Sequence, residues 1–343
     1  MPEVHLVHWL SFAALVAVLL GLDLLVFHRH DHVPRLHESF GWTVFWIALG
    51  LVFNGWIWWW SHTPEHGSEL GLVWLSAYLI EKSLSMDNIF VFVVIFRYFG
   101  VPMMYQYRVL FWGILGAVFM RLAFILAGVE LIHRFAWVGP LFGLLLIYTA
   151  LKLTTHHGSE VHPERNVMLR VARRLLRVSQ GDHHAHGHDF FVRENARLCI
   201  TPMFLVLLVI ESTDVVFAVD SVPAVIGVVP QSFPKPLVAF VAFTSNVFAI
   251  LGLRALYFML AGMVDLFRYL HYGLAGILGF VGVKMILQWD AVGQRLFPHA
   301  EGTHLVPTWL SLSVIAAVLC LSILVSVIAN VRDARRERDA ADA

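Results

Sequence analysis

Nine runs of predominantly apolar residues, each near the length a helix needs to cross a bilayer, set the frame for this chain of 343 residues. A crossing takes roughly 20 such residues. The runs lie near 6–27, 42–60, 70–96, 109–129, 136–151, 201–227, 237–260, 269–287 and 307–329. The fifth follows the fourth after only the short turn Glu130–Phe135. The expected fold is all-α: a polytopic membrane helical bundle of about nine transmembrane helices. Only 14% of the residues are charged, against about 25% in soluble domains. Lys and Arg together equal Asp and Glu at 24 each. Without a basic excess, nucleic acid is not an expected partner. Cys199 and Cys320 lie in or beside apolar runs and make neither a disulfide framework nor a thiolate metal site. No Lys or Arg precedes Leu6, so the first run reads as a span and not as a cleaved signal, which needs a basic start.

Charge on the connecting segments tests the count. With the N-terminus outside and the C-terminus inside, 17 of the Lys and Arg residues fall on inner segments and 3, namely Arg134, Lys235 and Arg295, on outer ones. The remaining four, Lys82, Arg121, Arg254 and Lys284, fall within spans. Basic residues concentrate on the cytoplasmic side of membrane proteins, so this split favours nine crossings. Trp42, Trp56, Trp58, Trp59, Trp60 and Trp289 near run ends fit interfacial aromatic belts.

The rare charges recur. Glu81 and Asp214 are 133 residues apart, as are Asp87 and Asp220, and Arg121 and Arg254. Ala127-Gly128 and Ala261-Gly262 follow the two arginines, and Lys152 and Lys284 follow at an offset of 132. Two consecutive copies of three spans must have opposite orientations in the membrane. Inverted repeats of this kind belong to secondary transporters, with the site at the repeat interface. The organisation expected is two N-terminal transmembrane helices (1–69), a first repeat (70–153), a cytoplasmic His-rich loop (154–200), a second repeat (201–288), and a C-terminal transmembrane helix with a cytoplasmic tail (289–343).

Glu81, Asp87, Glu211, Asp214 and Asp220 stand within spans three and six. Isolated in lipid, five carboxylates would cost on the order of 12–17 kcal/mol. They must face a protein-lined or wet interior. Arg121 and Arg254, costly in lipid and matched in position, are expected to approach these carboxylates as counter-charges within the bundle. Pairing with them and Lys82 alone would make a structural polar core, yet leaves two negative charges over. One divalent cation neutralises that remainder, as would protonation of two carboxyls. Glu211 and Asp214, three apart, share a helix face. Glu81 and Asp87 diverge by about 120° on an ideal helix, so either they serve different partners or the helix breaks between them. Asp87-Asn88 competes for backbone bonds, and Pro223 is expected to disturb span six. Asn88, Ser221, Thr244, Ser245 and Asn246 add polar oxygens, each more often a helix–helix hydrogen bond than a ligand. Hard oxygens of this kind suit Mg²⁺, Ca²⁺ or Mn²⁺. Gly113 and Gly116, and Gly276 and Gly279, have helix-packing spacing. The segment Gly181–Asp189 is rich in histidine, and reads equally as a metal-binding loop or as a solvated one. The basic run Arg170–Arg177 reflects topology and contact with anionic lipid.

The string Glu81-Lys-Ser-Leu-Ser-Met-Asp-Asn-Ile-Phe90 and the string Asp214-Val-Val-Phe-Ala-Val-Asp-Ser-Val-Pro-Ala224 resemble the paired signatures of the TerC family, Alx-type members among them. The likeness covers nearly the whole chain. It implies a multi-pass bacterial inner-membrane protein linked to manganese efflux, in a family named for tellurium resistance. It would place Glu81, Asp87, Asn88, Asp214 and Asp220 at the ion site. Together the two readings predict a secondary exporter of a divalent cation, Mn²⁺ first, coupled to proton exchange. Its metal ligands would be Asp87, Asp220, Glu81, Asp214, Glu211 and Asn88. A divalent metal ion and the bilayer are the partners expected, with protein partners left open, and no cofactor is expected. No Walker-type motif appears, so a gradient must supply the energy. No span carries His-Glu-x-x-His, so no enzyme is expected. The rival is a membrane scaffold that loads metals into exported proteins or assembles a stress-resistance complex.

Overall fold

A computed structural model of the chain describes residues 3–27, 36–61, 69–155, 166–179, 189–194, 197–230, 232–261, 269–289 and 306–341. The histidines from 183 to 188 lie outside the described residues. Helices account for almost all of the rest. They are α1 (Leu6–Phe27), α2 (Leu36–Ser61), α3 (Glu69–Tyr98), α4 (Met103–Arg134), α5 (Val138–Thr155) and the short α6 (Val167–Leu175). After a hairpin, β1 (Phe191–Glu194) and β2 (Arg197–Ile200), come α7 (Pro202–Val228), α8 (Lys235–Leu251), α9 (Leu253–Leu260), α10 (Leu270–Leu287) and α11 (Thr308–Ala341).

Seven of these, α1, α2, α4, α5, α7, α10 and α11, are each long and apolar enough to cross a membrane. The α8–α9 pair, bent by 40° at Gly252, makes an eighth if it is one broken span. At 30 residues α3 is about 45 Å long at 1.5 Å per residue, more than the hydrocarbon thickness. It fails only on apolarity, because Glu81, Lys82 and Asp87 stand in its middle. Nine crossings therefore require α3 to cross with its charges met inside the bundle.

Helix α3 runs unbroken through Asp87-Asn88, so Glu81 and Asp87 diverge by about 120° on one continuous helix, the alternative without a break. One expectation is corrected. Helix α7 runs unbroken through Pro223. Neighbouring helices can re-satisfy what a proline frees within a membrane span, and Ser221 to Val228 are all buried. The break falls instead at Gly252. There an added Cβ would lie 2.8 Å from the Cβ of Trp46, so only glycine admits this approach of α2. Breaking a helix orphans its last carbonyls. Lys82 Nζ donates to the Ala249 oxygen at 3.2 Å, meeting one of them. Helix α7 starts where its sequence says it should: Thr201 Oγ1 accepts from Phe204 N at 3.4 Å, with Pro202 in the first turn.

The centre is built by α3, α4, α7 and α8. Helix α3 packs on α7 and α8, and α4 packs on the same two. Outside them α5 and α10 make the most extensive helix pair of the molecule. That pairing is reciprocal. A Cβ on Gly143 would lie 2.6 Å from the Gly282 oxygen, and a Cβ on Gly282 would lie 2.6 Å from the Gly143 oxygen. Gly143 faces Ile286 Cγ1 and Gly282 faces Ile147 Cγ1, both at 2.9 Å. The match of Lys152 with Lys284 does not carry over. Lys284 is buried and donates to the Val228 oxygen and to Ser311 Oγ, both at 3.2 Å, whereas Lys152 is exposed in the last turn of α5.

Buried apolar side chains form two clusters. One holds Trp74, Ile80, Val118, Ala218, Val222 and Phe248, the other Ile89, Phe96, Leu110, Ile210 and Tyr257. Along α3 the change from one to the other falls between Ile80 and Ile89, and along α7 between Ile210 and Ala218. Glu81, Asp87, Glu211 and Asp214 occupy those two gaps. These four acidic residues stand where the fully buried members of one cluster give way to those of the other.

Candidate functional site

The middle of the bundle is organised by Arg121 of α4, which is 2% exposed. Its Nη2 and Nε donate to Asp214 Oδ1 and Oδ2 at 3.0 and 3.3 Å. Its Nη1 pairs with Glu81 Oε1 and lies 3.4 Å from Ser221 Oγ. One guanidinium therefore holds a carboxylate from each of α3 and α7, the second of them in a fork. Arginine suits this because its planar donors match carboxylate geometry and its charge persists when buried. The expectation for Arg121 holds. That for Arg254 does not: its Nη2 pairs with Asp23 of α1. Asp23 lies in the first apolar run and is 6% exposed. Its signal in the sequence is a lone carboxylate one turn before the end of a span. Counting it, the spans hold six carboxylates against Lys82, Arg121, Arg254 and Lys284. The excess of two negative charges survives.

Three predicted ligands remain outside these pairs. Asp87, Glu211 and Asp220 are each only partly buried. None of them forms an ion pair among the described residues. Asp220 Oδ1 accepts from Thr149 Oγ1 of α5 at 2.9 Å, a partner that no spacing or charge singles out. Glu211 lies against Gly116 of α4. A Cβ there would meet its carboxylate, with Oε2 at 2.6 Å. Gly116 is therefore the seat of an acidic side chain as well as a packing residue, whereas Gly113 faces Ile210 as packing requires. Glu211 and Asp214 face α4 together, as their spacing predicts. Gly116→Ala is expected to push the Glu211 carboxylate off α4. Thermal unfolding of the purified protein checks this: Gly116→Ala should cost about 1–3 kcal/mol as overpacking does, and adding Glu211→Ala should relieve most of the loss.

Asn88 is 4% exposed beside Asp87. Thr244 accepts from Trp74 Nε1 at 2.9 Å and returns its own proton to the Phe240 oxygen at 2.8 Å, so it is a helix–helix bond. Ser245 donates to the Ala242 oxygen at 3.2 Å. Asn246 is fully buried, and both polar atoms of its side chain lack a hydrogen-bond partner. Among the described residues no three of His, Cys, Asp and Glu converge as a ligand set in this conformation. The arrangement brings Glu81 and Asp214 together on Arg121. Asp87 and Asp220 stand on α3 and α7, which pack directly on each other.

A multi-pass helical membrane protein with acidic residues paired across two central helices is the class these features define. The model of the integral membrane protein TerC family matches residues 66–334, and the chain belongs to that family. It is 45% identical over 320 residues to an uncharacterized membrane protein of Myxococcus xanthus, covering 93% of this chain and 92% of that one. It is 38% identical over 328 residues to the putative membrane-bound redox modulator Alx of Escherichia coli K12, covering 94% and 95%. An uncharacterized membrane protein of Rickettsia bellii is 34% identical over 320 residues, covering 93% and 97%. No solved structure matches.

Proposed function

We propose that this chain is a secondary exporter that moves a divalent cation, Mn²⁺ first, across the bacterial inner membrane in exchange for protons. The observation that carries the reading is the set of carboxylates left over. Arg121 engages Glu81 and Asp214, and Arg254 engages Asp23. Lys82 and Lys284 point at carbonyls. Asp87, Glu211 and Asp220 are left without an ion pair among the described residues, in a region where each unpaired carboxylate costs about 2.5–3.5 kcal/mol. A hard divalent cation passing them offsets that cost, and oxygen donors of this type suit Mn²⁺, Mg²⁺ or Ca²⁺. Glu81, Asp214 and Asn88 complete or gate the site. The segregation of Lys and Arg supports an outside N-terminus and an inside C-terminus.

The relatives named as redox modulators suggest a second reading. The chain holds two cysteines, Cys199 buried on β2 and Cys320 exposed on α11, and they are not bonded to each other. A thiol–disulfide cycle within one chain needs a pair, so a redox effect of this protein runs through the metal it moves or through partners. Purified protein in sealed vesicles separates the readings. The exporter moves Mn²⁺ alone, down a proton gradient of the right sense. A scaffold shows no flux until partners are added, and that result would sink the exporter. Deleting the histidines from 183 to 188 is expected to leave the flux near that of the parent. Loss of flux on that deletion alone would move the primary metal site into the loop.

A further inference from the structure

Arg121 and Arg254 occupy matched places in the sequence and have unlike surroundings. Arg254 opens α9, just beyond the break at Gly252, and is 2% exposed. Its guanidinium pairs with Asp23 and lies over the ring of Tyr107, 4.0 Å from its centre. The Tyr107 hydroxyl lies 3.5 Å from the main-chain oxygen of Asp23. In lipid an apolar helix gains little by leaving the tails for another apolar helix, so packing and polar contacts decide docking. On α1, Leu6, Val7 and Leu10 are exposed, while Phe12, Val16 and Leu19 pack inward. The knot of Asp23, Arg254 and Tyr107 fixes its other end. The family match begins at residue 66, so this counter-charge comes from outside the matched segment.

A crevice beside Arg121 reaches Leu253, the neighbour of Arg254 in the chain. Arg121, Asp214, Gly113 and Ile210 line one side, and Ile250 and Leu253 line the other. Leu253 is the residue next to Arg254, and one residue along a helix turns about 100°. Rotation of α9 by about that angle, beyond the glycine hinge, puts Arg254 where Leu253 now stands, facing Asp214. The offset of 133 says what Arg254 would find there. Exchanging the two repeats carries Arg121 onto Arg254, Glu81 onto Asp214 and Asp214 onto Glu81. The acidic pair maps onto itself, so it has two arginines related to it in the same way. Opposed states of an inverted-repeat carrier arise by rocking one repeat against the other.

We infer that Arg121 and Arg254 alternate over the Glu81–Asp214 pair, and that Asp23 of α1 is the positioning residue that parks Arg254 in the state described here. When α1 lets go, α9 turns, Arg254 takes the two carboxylates, and Arg121 is released. Asp23 stands one turn from the end of α1, within reach of the membrane interface, where it can be hydrated. The inference deepens the exporter reading, on which its link to transport rests.

The test uses full-length protein with Cys199→Ser, Cys320→Ser and Leu253→Cys, in sealed vesicles, followed by Mn²⁺ flux and by thiol labelling at position 253. With α1 docked, that thiol is buried and labels slowly. Asp23→Asn is expected to raise the labelling rate and lower the flux, each at least about tenfold, as a displaced two-state equilibrium requires. Asp23→Arg combined with Arg254→Asp restores an ion pair but leaves no arginine at 254. It should label as slowly as the parent and still lose flux at least about tenfold. Parent-level flux in that charge-exchanged protein would show the pair to be purely structural and overturn the inference. So would Asp23→Asn labelling at the parent rate. If Asp23→Asn does not fold, the charge-exchanged protein decides alone. If the parent carries no Mn²⁺, the exporter reading fails, and labelling of Asp23→Asn still decides whether the arginines exchange.

Discussion

Asp87→Asn and Asp220→Asn should each bring manganese efflux down to the level of cells that lack the protein, with the amount in the membrane unchanged. Asparagine keeps the shape and one oxygen but removes a charge, and divalent-ion sites depend on ligand charge as well as geometry. Neither carboxylate is spent on a base. Asp87 and Asp220 have no ion pair among the described residues, and Asp220 has only the hydroxyl of Thr149 at 2.9 Å. Removing either charge therefore strands no arginine, and the fold should tolerate it. Thr149→Val is the companion variant. It takes away one hydrogen bond, worth about 0.5–1.5 kcal/mol, and leaves the charge, so it should weaken efflux without abolishing it. Manganese accumulation in cells lacking their own exporters, scored beside membrane levels of each variant, reads both. Full efflux by either Asn variant would remove that aspartate from the mechanism.

Arg121→Ala should do the opposite, damaging the fold before any question of transport arises. In the state described here, with Arg254 held by Asp23, it leaves Glu81, which has no exposed surface, and Asp214, which is 5% exposed, without a counter-charge. Breaking a buried pair from one side costs about 3–5 kcal/mol, and here two carboxylates are stranded at once. Thermal unfolding of the purified protein in detergent should show a large loss, with reduced membrane levels in cells. Combining Arg121→Ala with Glu81→Gln and Asp214→Asn removes the stranded charges and should recover much of the stability. If Arg121→Ala alone unfolds like the parent, the triad does not hold the centre together. Arg121→Lys should fall between, since an ammonium keeps the charge and loses the fork.

The two expected results differ because of a distinction the sequence did not reveal. Spacing put all five carboxylates of spans three and six in one group. Only packing shows which are bound to arginine. The spans themselves were legible because hydrocarbon admits few alternatives to a long apolar helix, and runs such as 109–129 and 307–329 reappear within α4 and α11. Arg121 was legible because a charge in lipid must be met, and two nearby helices offered acids to meet it. Asp23 is not legible as a counter-charge because it stands alone near a span end, where a charge costs little. The break at Gly252 was hidden for another reason. Proline advertises a kink and glycine does not, yet α7 passes through Pro223 unbroken while α8 stops at a glycine pressed against Trp46. Gly116 read as packing because sequence spacing carries no information on what fills the space a missing side chain leaves.

Asp23 and Arg254 are separated by 231 positions in the chain, and this sets a timetable for biogenesis. A ribosome adding 5–20 residues per second takes roughly 12–46 s to go from one to the other. Throughout that interval the first helix must remain in the bilayer with a carboxylate whose partner has not been made, at a penalty of about 2.5–3.5 kcal/mol if it is drawn to the bilayer centre. Glu81 and Arg121 are only 40 positions apart, so at the same speed that gap closes in about 2–8 s. The centre can thus be neutralised early from within the first repeat, while the N-terminal helix waits, held near the interface or by the insertion machinery, until the second repeat arrives. A nascent chain stalled before residue 254 would carry a first helix that is inserted but not yet secured.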